Sequence, residues 1–218
     1  VSVTDPVASF KVLEPTLDSA MLTGNEAPLS AIRQVLLREQ GQGLGAYEVV
    51  ILDGAQGAFR VTTATQAKAL NKAEAAPVGQ LEVLRLTLPD QVLDTQGAVT
   101  AYHHVAAEPG VIWLSAQHSG SDAFVVHGFA HSADAGADYL GAAVLPAGEV
   151  LVGLVKAPCG HVSFATETRV GHLTPEHLTN EALTPPSIPL PFTAKSIQSD
   201  GECSADSAGW LTVGGALG

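Results

Sequence analysis

The chain is predicted to be all-β: an antiparallel sandwich, jelly roll or barrel-like domain with one or two short helical insertions and an extended C-terminal tail. Three observations predict it. Short runs rich in Val, Phe, Tyr and Trp recur along the sequence, as half-buried strands require. Gly and Pro, 22 and 13 of them, cut these runs apart, so that turn signals come about every 8–12 residues, the spacing of sandwiches and barrels. From residue 80 onward the runs do not alternate with helical segments, which argues against a doubly wound α/β sheet.

Taken in order, "SFKVLE" (9–14) is the first strand-like run. "APLSAIRQVLLREQGQG" (27–43) reads as a helix. Pro28 stands where a first turn tolerates it, Leu29, Ile32, Val35 and Leu36 fall on one helical face, and Gly41 is a stop. "AYEVVIL" (46–52) and "AFRVTT" (58–63) are strands, and the alanine-rich "TATQAKALNKAEAAP" (63–77) is a second short helix with a thin apolar face. The remaining strands are "QLEVLRLTL" (80–88), "AVTAYHHVA" (98–106), "GVIWLSA" (110–116), "DAFVVHGFAH" (122–131), "EVLVGLV" (149–155) and "HVSFATE" (161–167). "LTPPSIPLPF" (183–192) carries four prolines, so it is extended and excluded from a central strand. Beyond it, Trp210–Val213 is a strand-like patch, either returning to the same sheet or forming an arm on a neighbouring subunit. The organisation read from these runs has three parts. Residues 1–79 form a β-rich N-terminal segment with the helices, in the same domain as an all-β body over 80–182. Residues 183–218 form a Pro-rich linker and C-terminal arm.

Composition narrows the function. Hydrophobic residues make up 46% and charged residues 15%, which excludes a disordered chain. At 218 residues the chain suits one domain or two small ones and needs no metal or disulfide merely to fold. Ten Lys and Arg stand against 22 acidic residues, a net charge of −12. With no basic run to neutralise phosphates, nucleic-acid binding and docking on an anionic membrane are not expected. The most apolar stretch, 139–155, is interrupted by Pro146, Gly148 and Glu149 and falls short of the ~20 residues of a membrane helix. No N-terminal segment reads as a signal peptide. A soluble protein without membrane insertion is expected.

The candidate site residues are histidines. In "FVVHGFAH" (124–131), His127 and His131 share a strand face but are rooted about 13 Å apart, so that pair alone is a poor metal site. His103 and His104 are adjacent, and on a regular strand they point to opposite faces. A cross-strand metal cluster drawn from His103, His104, His118, His127 and His131 depends on pairing register, which sequence does not set. "HLTPEH" (172–177) has one residue too many for the H-x-x-E-H zinc motif, and Pro175 is expected to interrupt any helix there. "GQGLGA" (41–46) has dinucleotide-type glycines in reversed order, after a helix and before a strand. "QHSGSDAF" (117–124) reads as a hairpin loop rather than a catalytic triad. The acidic loops 132–138 and 199–206 match an EF-hand poorly. Cys159 and Cys203 are a disulfide candidate or two separate thiols.

No cofactor is implied. The leading expectation is a non-enzymatic structural or assembly protein, self-associating or joined to other assembly proteins, such as a virion shell, tail or surface-layer component. The alternatives are a metal-dependent β-barrel enzyme using the histidine cluster, and a secreted ligand-binding sandwich.

Overall fold

The computed structural model describes residues 31–39, 47–63, 81–108, 110–130, 138–157, 161–180, 182–200 and 210–216. Within them the chain forms three successive antiparallel meanders and a hairpin. The first sheet runs β1 (Ile32–Glu39), β2 (Tyr47–Asp53), β3 (Gly57–Thr63), β4 (Leu81–Arg85). A short helix α1 (Asp90–Gln96) leads to the second sheet: β5 (Val99–Glu108), β6 (Val111–His118), β7 (Phe124–Ala130), β8 (Tyr139–Val144). The third sheet has the order β12-β11-β10-β9, from β9 (Leu151–Ala157), β10 (His161–Thr166), β11 (Arg169–Leu173) and β12 (Ser187–Pro189), with helix α2 (Pro175–Thr179) before its last strand. β13 (Thr193–Asp200) and β14 (Trp210–Ala216) pair only with each other among the described strands. The fold is all-β and antiparallel, as expected. Neither helix is long and apolar enough to cross a membrane.

The second sheet is the middle layer, because its strands are apolar on both faces. On β6, Trp113 faces the third sheet in a cluster with Phe124, Val126, Leu154, Val162 and Phe164. Ile112, Leu114 and Ala116 face the first sheet, with Val50, Leu52, Ala58 and Phe129. Alternating side chains from one strand thus serve two cores, which is why "VIWLSAQH" is almost wholly buried. The one indole N–H in that interior is satisfied: Trp113 Nε1 donates to Glu108 Oε1 at 2.8 Å.

Two helix expectations are corrected. Residues 32–39 form β1, not a helix; they pair antiparallel with β2, with Leu36 opposite Val50 and Val35 opposite Ile51. The apolar spacing fits a helical face, but Ile and Val also suit a strand, and pairing with β2 decides between them. Gln34 then does what no helical residue in that place would do. Its side-chain amide donates to the Val105 carbonyl (2.8 Å) and accepts from the Val105 N–H (3.0 Å). It thereby completes the outer edge of β5 as a strand would. Pro175, expected to interrupt a helix, instead opens α2 at its first position, where the missing N–H costs nothing. Its N-cap Thr174 and the His177 imidazole complete a capping box, Thr174 N donating to His177 Nδ1 at 3.0 Å.

Helix α2 rests on a glycine seat. Gly128 on β7 and Gly141 on β8 are register partners, and a Cβ at either would collide with Leu178. At Gly141 the collision is with the Leu178 carbonyl, and its φ of +141° itself favours glycine. The Pro-rich stretch supplies only the three-residue edge strand β12, consistent with its exclusion from central positions. The 117–124 stretch is a hairpin connection between β6 and β7, where Ala123 N donates to Ser121 Oγ. The Trp210–Val213 patch belongs to β14 and pairs with β13 rather than with the larger sheets. Buried Ala194 and Ile197 of β13 pack on the outer face of the third sheet, where Gly153 leaves room for Ile197. The 9–14 strand, the 63–77 helix but for Thr63, the 41–46 glycines, His131, Cys159, Cys203 and nearly all of the two acidic loops lie outside the described residues.

Candidate functional site

Two of the five candidate histidines meet in the core between the first and second sheets. His127 is the register partner of Leu114, four residues from His118 along β6. The two imidazoles lean toward each other along the strand, with small Ala116 between Leu114 and His118 on that face. Their Nε2 atoms come to 3.0 Å and the rings meet edge to face. His118 Nδ1 lies 2.8 Å from the Gly97 carbonyl at the end of α1, and His127 Nδ1 lies 3.1 Å from the Tyr139 hydroxyl on β8. Both histidines are buried, at 2% and 0% exposure.

The hydrogens in this chain follow from one atom. The Gly97 carbonyl only accepts, so Nδ1 of His118 carries its proton. With both rings neutral, His118 Nε2 then accepts, His127 Nε2–H donates to it, and His127 Nδ1 accepts from the Tyr139 hydroxyl. A second proton on His127 would sit on Nδ1 and displace the hydrogen that Tyr139 donates there. Burial pushes the His127 imidazole down to about 3, with His118 beside it adding to the shift. The arrangement ties α1, β6, β7 and β8 together inside the core, and such buried polar links stabilise only when fully satisfied. No substrate reaches rings this deeply enclosed.

His103 and His104 form a second pair, on the opposite face of the same sheet. The pairing of β5 with β6 slips between Tyr102 and Val105, so both histidines stand opposite Ser115 in a β-bulge. This corrects the expectation for a regular strand. The extra residue puts both imidazoles toward the third sheet, while Tyr102 and Val105 on either side face the first. Ser115 Oγ accepts from the His104 N–H and donates to the His104 carbonyl, holding the bulge. His103 takes a guanidinium hydrogen from Arg33 on Nδ1 (3.4 Å), which leaves Nε2–H to donate to Gln117 Oε1 at 3.2 Å. Its ring also meets the edge of Phe124. Burial, followed by the neighbouring Arg33, lowers the His103 pKa, against the bond to Gln117. Burial, with His103 next to it, pushes His104 down to about 4, against a bond to the Leu151 backbone.

The candidate set therefore divides. His118 and His127 converge on one face and His103 and His104 on the other, so these four make no common cluster. Among the described residues, no group of three His, Cys, Asp or Glu is placed to hold a metal. Two histidines outside the candidate set also meet: His161 on β10 and His172 on β11, with ring centroids 5.5 Å apart. Register puts them on one face of the third sheet, opposite the face from which Val162, Phe164 and Leu173 join the core against the second sheet. Strand periodicity around "HVSF" and "VGHL" was the only signal for them, and the pairing of β10 with β11 was not readable from it. A groove of about 410 Å³ opens between β4, α1 and β5, lined by Arg85, Leu88, Leu93, Asp94, Val99 and Tyr102 among others. Arg85 is already engaged there by the Gln56 carbonyl, at 2.6 Å from Nη2. Comparison with protein families, curated proteins and solved structures finds no match for this chain.

Proposed function

We propose that this chain is a non-enzymatic structural module that associates with copies of itself, as a component of a virion shell, tail or surface layer. The observation that supports this reading best is the apolar character of its open sheet edges. Among the described strands, every sheet ends in an unpaired strand, and four of these carry large exposed apolar side chains, Ile32 on β1 (51% exposed) among them. Ile188 on β12 is 65% exposed, Val144 on β8 is 52% exposed and Leu211 on β14 is 38% exposed. β14, "WLTVGGA", has no charged residue. Edge strands of proteins that stay apart are blunted by charge, bulges or cover. Here prolines blunt β12 and Gln34 covers one stretch of β5, whereas the uncharged edges β8 and β14 offer backbone and apolar surface together. The high net negative charge sets a repulsion that limits such association to specific contacts.

Native mass by light scattering on a sizing column, at several concentrations, tests the reading. A stable oligomer of defined stoichiometry is the expected result. Ile188→Lys and Leu211→Lys, each placing a charge on an open edge, are expected to shift it toward smaller species without loss of the β-sheet circular dichroism. A chain that stays monomeric at every concentration overturns the proposal.

A further inference from the structure

We propose that His161 and His172 form a surface binding site for one divalent transition-metal ion of the zinc, nickel and copper group. The two residues sit on neighbouring antiparallel strands. Ser163 is the register partner of His172, and His161 lies two residues before Ser163, so the histidines are diagonal neighbours on one face of the third sheet. Long side chains reach each other across such a diagonal. The rings are 5.5 Å apart between centroids and tilted by 60°.

That separation suits a shared metal. A metal bonded to an imidazole nitrogen at ~2.1 Å lies about 3.2 Å from the ring centroid, so two imidazoles at a tetrahedral angle have centroids about 5 Å apart. Imidazole ligands select zinc, copper and nickel over magnesium and calcium, which take oxygen. Among the described residues neither ring has a hydrogen-bonding partner, so a nitrogen of each is available. His172 is exposed and His161 half-buried, which leaves the outer coordination positions to water. The His118–His127 pair has a similar ring separation, 5.2 Å, but its nitrogens are used by a carbonyl, a hydroxyl and each other, and it is enclosed. The strand pairing on both sides of β10 fixes where the two histidines are rooted. The pair therefore acts as a chelate, and most of the ordering of the ligands is already done.

The test is a titration of the full chain, without a polyhistidine tag, with Zn2+ alone, followed through the imidazole resonances of all the histidines. The His161 and His172 signals are expected to move together along one curve that saturates at one zinc per chain, with Mg2+ producing no response. His172→Ala, at an exposed position, is expected to abolish the His161 response and to weaken zinc binding at least about tenfold, as loss of a chelate partner does. The proposal is overturned if the two signals stay still or follow separate curves. It is also overturned if His161 responds to zinc as before in His172→Ala. The wild-type titration decides the matter even if a variant were to lose its fold.

Discussion

Acid should unfold this protein through its buried histidines, well above the range where carboxylates titrate. His127 is held at about 3 and His104 at about 4, both from an ordinary 6.5. In the unfolded chain each ring takes a proton as the pH falls through about 6.5, while in the fold neither does until much lower. The unfolded state therefore binds more protons in this window, and stability falls with pH. The contribution is fully present above about 6.5 and is lost progressively down to about 4 for His104 and about 3 for His127. Each group costs about 1.4 kcal/mol per pH unit inside its window. Over the two units from 6.5 to 4.5, both together remove about 5 kcal/mol, comparable to the whole stability of many domains. His103, also lowered by burial, adds in the same direction. Urea midpoints from pH 7.5 to 4.5, read from the fluorescence of fully buried Trp113, measure the slope. His127→Gln and His104→Gln should each flatten it by about half. An unfolding free energy that is the same at pH 7.5 and 5, or a wild-type slope retained in both variants, would refute the assignment of these rings as buried and neutral.

Two further outcomes follow from packing. Gly128→Ala should destabilise the protein by about 1–3 kcal/mol, as overpacking does. Leu178→Ala should rescue part of that loss but none of the loss from Gly141→Ala, because Gly141 faces the Leu178 backbone rather than its side chain; urea denaturation of the three single and two double variants checks this. Gln34→Ala should expose the Val105 N–H and carbonyl, cost about 1–3 kcal/mol for unpaired groups and increase light scattering on storage as the edge of β5 opens.

Much of the fold is legible in single residues. The Val- and Phe-rich runs at 46–52, 58–63, 110–116 and 161–167 are strands within a residue or two of where composition puts them, because a β-branched or aromatic run bounded by Gly has few other solutions. Ile32–Glu39 shows the limit. Its apolar spacing satisfies a helix face and a strand equally, and the choice is made by β2 beside it. The same holds for β8, hidden in the apolar 139–155 stretch, and for β11 and β13, too polar to stand out before they had neighbours.

The histidines show the division most plainly. Sequence alone determined that this is an acidic, strand-rich chain with eight histidines and few basic residues, since those properties are sums over residues and periods along one segment. Which histidines meet was decided only by the tertiary structure. The register of β6 on β7 joined His118 to His127, one slipped residue in β5 turned His103 and His104 to a common face, and the pairing of β10 with β11 brought His161 to His172. A one-residue change in register reverses every side chain on a strand, and register is set by the contacts of whole sheets, which no local stretch of sequence contains.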